Sequence, residues 1–391
     1  MRITRRHALV SAAAASLPLP ALAQSGEPVR IGLIAPMTGP FTSTGRMMDT
    51  GARLYMQLNG DTVAGRKVQL ILKDDTGVAD VTKRIAQEMV VNEKVDILTG
   101  FGLTPLALAT APIATQAKVA QVIMLAATPV VTTASPYIVR PSFTTGQTTE
   151  PMADWALKNG IKSAITLVSD YAPGVDTEVT FVNKFKAGGG AIVESIRVPL
   201  ANRDFAPYLQ KVADAKADAL FVFVPAGIGA TLLKQYVERG LNKTGMKLLG
   251  EGSVTEDDIL TQMDDNVIGM ITSHHYSAAH DSPENKAFVA AYKKAYDGKR
   301  PNLTACAAYD AMHLIYEALK KTGGKADGDS VVAAMKGMSW TSPRGPVSID
   351  PETREVIQNI YIRRVEKKDG ELWNTEFETV ANVKDPSKVK K

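Results

Sequence analysis

Cysteine is almost absent: one residue, Cys306, in 391. No disulfide can close within the chain, so stability has to come from burial, for which the length is ample. An excess of one charge is missing too, the formal net being +4. Arg2, Arg5 and Arg6 belong to the leader described below, and without these three the chain carries +1, which gives no basis for nucleic-acid binding. No apolar run after residue 23 is long enough to span a bilayer. No H-E-x-x-H spacing accompanies His274, His275 and His280, so they carry no metal signature, and no cofactor is implied. Gly100-Phe101-Gly102-Leu103 lacks the third glycine of a dinucleotide fingerprint. Low-complexity tracts and charge blocks are likewise missing.

The first residues read as an address. A basic start runs into the apolar stretch Ala8 to Leu22 and closes on Ala21-Leu22-Ala23, so a signal peptide over 1–23 with cleavage after Ala23 is expected. Thr4-Arg5-Arg6-His7-Ala8-Leu9 also resembles a twin-arginine signal, which leaves the export route open. The alternative, a membrane anchor, suffers from a short Ala-rich run broken by Pro18 and Pro20, where a spanning helix needs about 20 apolar residues. Gln24 follows the cleavage site, so no lipid can be attached to a cysteine there.

At roughly 150 residues per domain the remainder suggests two domains. Short apolar runs alternate with helical periodicity: Val29 to Ala35, a helix with Met47, Met48, Gly51, Leu54, Tyr55 and Leu58 on one face, Val68 to Leu72, Val78 to Val91, Val95 to Leu98, Pro105 to Ala117, then Val119 to Leu125. A Thr-, Pro- and Gly-rich loop follows. A second series runs through a helix near Pro151 to Asn159, Ser163 to Val168, Gly174 to Ala187, Ala191 to Val198, a helix around Leu209, Ala219 to Val224, Ala230 to Arg239, Leu248-Leu249 and Ile268 to Thr272. Pro283 to Lys321 reads as two long helices and Val356 to Val365 as late strands. Such alternation predicts an α/β fold: two Rossmann-like lobes, each with a parallel sheet covered by helices. The expected division is 24–141 plus 276–344 for the first lobe, 142–275 plus 345–380 for the second, and a tail at 381–391. Crossings near Pro141 to Gln147, Thr272 to Ala279 and Ser342 to Pro351 would form a three-strand hinge.

Ligands of open parallel sheets sit in loops beyond the carboxyl ends of the strands, and two facing lobes make a cleft. The loops to search are Pro36 to Gly45, Asp74 to Asp80, Gly100 to Pro105, Leu125 to Thr133, Ser169 to Gly174, Pro225 to Gly229 and Gly250 to Thr255. Thr104 stands at a helix start, where free N–H groups and the dipole favour a carboxylate and its hydroxyl adds a donor; capping its own helix is the plainer alternative. Ala126 and Ala127 are small enough to let a ligand approach the backbone, and Thr128 can hydrogen-bond it.

Several of these loops resemble one family over about Val29 to Val365: the type I periplasmic binding proteins of branched-chain amino acid and related hydrophobic-ligand ABC importers. The marks are Ile31-Gly32-Leu33-Ile34-Ala35-Pro36-Met37-Thr38-Gly39-Pro40, the Asp74-Asp75-Thr76 turn, Gly100 and Thr104 followed by Ala111-Pro112-Ile113-Ala114, and Gly250-Glu251-Gly252. The resemblance implies ligand contacts at one or more of Ala126, Ala127 and Thr128, and a carboxylate at Thr104. It implies that Tyr171 covers the ligand from the second lobe and that Glu251 meets a ligand ammonium, although a surface tyrosine and a solvated carboxylate are the plainer alternatives. It further implies a monomeric periplasmic protein, not an enzyme, serving an ABC permease and ATPase.

Departures from the leucine-binding pattern point elsewhere. Thr44 stands where an aromatic is usual, Pro225-Ala226 replaces another aromatic-bearing stretch, and Leu103-Thr104-Pro105 replaces a serine-rich turn. They imply a pocket wider and less polar than one shaped for leucine, which admits an aromatic amino acid or an aromatic acid without an amine. The main expectation is a small hydrophobic amino acid or related carboxylate, the alternative a benzoate- or cinnamate-like acid. A ligand-sensing receptor subunit would use the same cleft. Cys306, among Ala residues on a predicted helix, reads as a buried inert thiol rather than a nucleophile. Asp74 and Asp75 read as turn-shaping caps rather than an acid pair.

Overall fold

The computed structural model describes residues 26–225 and 228–389. The expected leader and its cleavage site, and Ala226, lie outside the described residues.

The first lobe is built from β1 (Val29–Ala35), α1 (Thr42–Asn59), β2 (Thr62–Val63), β3 (Arg66–Asp74), α2 (Ala79–Val91), β4 (Ile97–Gly100), α3 (Thr104–Ala117), β5 (Ala120–Ile123) and β6 (Ile138–Val139). Its sheet runs β2-β3-β1-β4-β5-β6, parallel throughout except for the β2/β3 hairpin. The near-continuous apolar sequence of β1 fits a strand covered on both faces. Helix α1 buries Met47, Met48, Leu54 and Tyr55, each such side chain contributing roughly 1.5–3 kcal/mol. Leu58, expected on the same face, is instead exposed near the helix end.

The second lobe follows with α4 (Thr145–Lys158), β7 (Ser163–Asp170), α5 (Ala172–Ala187), β8 (Ala191–Pro199), α6 (Ala206–Ala215), β9 (Ala219–Phe223), α7 (Gly229–Glu238), β10 (Lys247–Glu251), α8 (Asp257–Leu260) and β11 (Ile271–His274). Helix α4 starts six residues before Pro151, because Thr144 and Gln147 form a reciprocal capping box. The C-terminal part divides between the lobes. Helices α9 (Pro283–Ala295), α10 (Leu303–Lys321) and α11 (Gly328–Met335) bury their apolar faces in the core of the first sheet. Gly51 of α1 lets that helix touch α10, since a Cβ there would lie 2.2 Å from the Ala305 carbonyl oxygen. Strands β12 (Ser339–Ser342), β13 (Gly345–Ile349), β14 (Val356–Lys368) and β15 (Glu371–Val383) extend the second sheet, which runs β12-β13-β14-β11-β10-β9-β7-β8 with β15 on β14. This extension is antiparallel, so the second sheet is mixed rather than purely parallel.

Buried ion pairs knit the crossings together. Arg140, after β6, donates to Glu355 through Nε and Nη2 at 2.7 and 2.6 Å. Arg344 lies 2.9 Å from Asp310 of α10 and donates to the Ser142 carbonyl at 2.8 Å. The lobes are in contact: Phe41, Leu103 and Leu106 of the first join Val254 and Leu260 of the second in one apolar cluster.

Candidate ligand-binding site

Strand ends of both sheets converge on one pocket between the lobes. The first lobe contributes Phe41 and Thr44 beyond β1, Gly102, Leu103 and Thr104 beyond β4, and Leu125, Ala126 and Ala127 beyond β5. The second contributes Tyr171 and Pro173 beyond β7, Phe223 and Pro225 at the end of β9, and Ser253 beyond β10, while Phe143 comes from the first crossing. This is where the rule for parallel sheets puts a ligand.

The polar end is built on α3. Its N-cap residue Leu103 has no side chain to cap the helix, and Pro105 has no N–H. Thr104 is the first helical residue, and its hydroxyl donates to the Thr128 hydroxyl at 3.0 Å rather than closing on its own helix. Thr128 itself is not in the pocket wall, and its amide points back at Thr104 Oγ1 at 3.4 Å. Arg140 Nη1 fixes the intervening loop by donating to the Ala126 and Thr128 carbonyls, each at 2.8 Å. Gly100 makes the approach to α3 possible: φ is +109°, and a Cβ would lie 2.1 Å from the Ile34 carbonyl oxygen.

The walls are aromatic. Tyr171 stacks on Phe223 with centroids 6.2 Å apart and planes 22° from parallel. Burial, with the Glu251 charge adding to it, pushes the Tyr171 phenol well above its ordinary value, so it stays protonated. Phe143 packs on His274 and His275 at 4.7 and 5.0 Å.

Glu251 ends β10 and is completely buried, but stands behind the wall rather than in it. Its Oε2 accepts from the Ser253 amide at 2.9 Å, and its Oε1 lies 2.8 Å from His274 Nε2. Burial alone would raise this carboxyl; the His274 and Ser253 contacts outweigh it and hold the group ionised. Burial lowers the His274 imidazole against the pull of Glu251, which leaves it neutral. The positive charge nearby is Arg363, also buried, whose Nη2 donates to the Gly252 carbonyl at 3.1 Å.

Of the remaining residues singled out in sequence, Asp74 and Asp75 shape a turn. Asp74 accepts from the Met37 and Thr76 amides at 2.9 and 2.8 Å, and Asp75 from the Thr82 hydroxyl at 3.0 Å. His280 faces Glu376, Nδ1 to Oε2 being 2.7 Å. Cys306 is buried in α10 with its thiol pushed well up by desolvation. Among the described residues no group of His, Cys, Asp and Glu is placed to hold a metal, and no helix is long and apolar enough to cross a membrane. Phe41, Phe143, Pro173, Phe223 and Ser253 were not assigned to the site from sequence. Phe41, Pro173 and Ser253 lie inside the searched loops, which hinted at it; Phe223, at the end of its strand, and Phe143, on a crossing, lack even that.

Two sheets of mostly parallel strands, hinged by crossings and meeting over a pocket at their strand ends, define a two-lobe solute-binding protein. The periplasmic binding protein family matches residues 28–371, and the chain belongs to it, in the type I branch of branched-chain amino acid binders. "Leu/Ile/Val-binding protein homolog 6" of Brucella melitensis is 43% identical over 94% of this chain and 95% of its own length. Among solved structures, a solute-binding protein of an ABC transporter from Rhodopseudomonas palustris BisB5, in complex with 3,4-dihydroxybenzoic acid, is 59% identical with a TM-score of 0.92, covering 93% of this chain and 100% of that one. Another from R. palustris, in complex with 4-hydroxybenzoate, is 42% identical with a TM-score of 0.90 at the same coverage.

Proposed function

We propose that this protein captures a small aromatic carboxylic acid of the benzoate class between its lobes and presents it, from the periplasm, to the permease and ATPase of an ABC importer. The observation that carries this reading is the pocket wall, in which Phe41, Phe143, Tyr171 and Phe223 surround a slot whose polar end is the N-terminus of α3. A flat ring fills such a slot, and a carboxylate suits the positive end of the α3 dipole beside Thr104. Glu251 adds to the case: it is buried behind the wall rather than in it, with Oε2 on the Ser253 amide and Oε1 2.8 Å from His274 Nε2, so it does not stand open to a ligand ammonium. The benzoate-type ligands of the two R. palustris proteins support the same class. The second reading, a hydrophobic amino acid, is favoured by the Leu/Ile/Val-binding relative.

Closure works through the crossings. Asp258 of α8 accepts from Ser43 at 3.2 Å and from Asn302 at 2.8 Å, both on the first lobe, so its carboxylate bridges the cleft when the lobes meet. A ligand touching Thr104 and Tyr171 together favours that closed form. The protein performs no chemistry on its ligand. A thermal-shift screen of benzoates, cinnamates and apolar amino acids tests the reading: a ligand at 100 times its Kd stabilises by about 2.7 kcal/mol. Shifts with leucine and valine, and none with any aromatic acid, would refute it.

A further inference from the structure

The residues after β15 do not trail away from the fold: 384–389 lie over two of the three crossings. At the end of the first crossing, Gln147 donates to the Val383 carbonyl at 2.8 Å, and Pro386 packs on Gly146, where a Cβ would lie 2.8 Å from the proline ring. On the third, Asp350 accepts from Lys384 at 3.1 Å. Asp385 is buried and accepts from the Ser387 amide and hydroxyl at 3.0 and 2.8 Å, a turn that aims Lys388 back into the molecule. The Lys388 ammonium donates to Glu355 Oε1 and to the Thr132 hydroxyl, and its side chain is only 14% exposed. A lysine held this deep gives up rotamer freedom and needs a charged partner in return.

That partner is the carboxylate that also holds Arg140. Glu355 Oε1 takes three donors: Lys388, Arg140 Nη2 at 2.6 Å and the Thr132 hydroxyl at 2.6 Å. Arg140 Nη1 in turn donates to the carbonyls of Ala126 and Thr128, and Ala126 lines the pocket. Thr132 ends the same loop, in the helical turn Pro129–Thr133. One carboxylate therefore holds the 126–132 loop at both ends. We propose that Lys388, carried by the C-terminal tail, is a positioning residue for ligand binding, fixing Glu355 and through it this loop. Lys388 itself lines no part of the pocket. Without its ammonium, Glu355 is less tightly oriented, and a looser loop has to be ordered when the ligand binds, which lowers affinity.

The test is hydrogen exchange of the ligand-free mature chain, read by mass spectrometry, together with calorimetric titration by 4-hydroxybenzoate. Lys388→Met keeps the stem and removes the charge. Amides of 126–132 should exchange about fivefold faster while those of α10 stay unchanged, whereas a general loosening of the fold would move both. The acid should bind about threefold more weakly, within the range of coupling inside one hydrogen-bond network. Lys388→Arg keeps a cation and should recover most of both effects. In an Arg140→Met/Glu355→Leu background, where the path is already cut, Lys388→Met should cost no further affinity. Unchanged exchange in the loop, an equal change in α10, unchanged affinity, or the full loss of affinity persisting in that background would each overturn the inference. If the unmodified protein binds leucine and not the acid, the aromatic-acid reading fails instead, and the same affinity ratios are read with leucine.

Discussion

Arg140 couples the hinge to the pocket, and its removal gives a sharp test of that coupling. The guanidinium is fully buried, bidentate on Glu355, and bonded through Nη1 to the carbonyls of Ala126 and Thr128. Arg140→Met keeps the bulk and removes every one of these bonds. Breaking a buried pair from one side costs about 3–5 kcal/mol, because the surviving charge stays desolvated. Lys388 and the Thr132 hydroxyl remain on Glu355 Oε1, which argues for the lower end, about 3 kcal/mol. The freed 126–128 loop should also weaken ligand binding severalfold. Urea unfolding followed by circular dichroism measures the first effect and calorimetry the second. The double variant Arg140→Met/Glu355→Leu should recover much of the stability, since both charges are then gone. A loss below about 1 kcal/mol, or a double variant no better than the single, would refute the reasoning.

Glu355 also sets an acid limit: the Arg140 and Lys388 charges and bonds, working against burial, hold its carboxyl below the ordinary 4.5. Its contribution is complete above 4.5 and is lost as pH falls through the depressed folded value, so the stability gap between the unmodified protein and Glu355→Gln should close on acidification; a gap constant from pH 7 to pH 3 would contradict this. Thr104→Ala removes the hydroxyl at the carboxylate end together with its bond to Thr128 and should cost about 1–3 kcal/mol of binding, read by calorimetry. Asp258→Ala deletes both bonds bridging the lobes, so ligand should leave at least severalfold faster in stopped-flow displacement; an unchanged rate would count against the bridge. Cys306 should resist a thiol reagent in the native protein and react fully in urea, its thiol being buried and held protonated.

The sequence made the parallel parts of both sheets legible because strands such as β1 are short apolar runs flanked by helical periodicity. Of the antiparallel extension only β14 was legible, as the run Val356 to Val365. Strand β12 is four residues of mixed polarity, and β15 alternates charged and apolar residues on a half-exposed surface, so neither stands out from loop. The sequence reading starts helix α4 too late because Pro151 resembles a helix start, whereas the Thr144/Gln147 capping box lies just upstream. At the site, loops were easier to name than walls. Thr104 and Tyr171 follow strands in loops of recognisable pattern. Phe143 reaches the pocket from a crossing, and its role depends on how the lobes face each other, which no local pattern encodes. The departure at Thr44 was visible, but the ring supplied three residues earlier by Phe41 was not read as its replacement.

The central claim, capture of an aromatic acid by closure of two lobes, is tested most directly by calorimetric titration of the mature protein with 4-hydroxybenzoate beside leucine at several temperatures. The account predicts one site per chain for the aromatic acid, a negative heat-capacity change from burial of the ring between the aromatic walls, and no saturable heat with leucine. Saturable binding of leucine with no heat from the aromatic acid would contradict it.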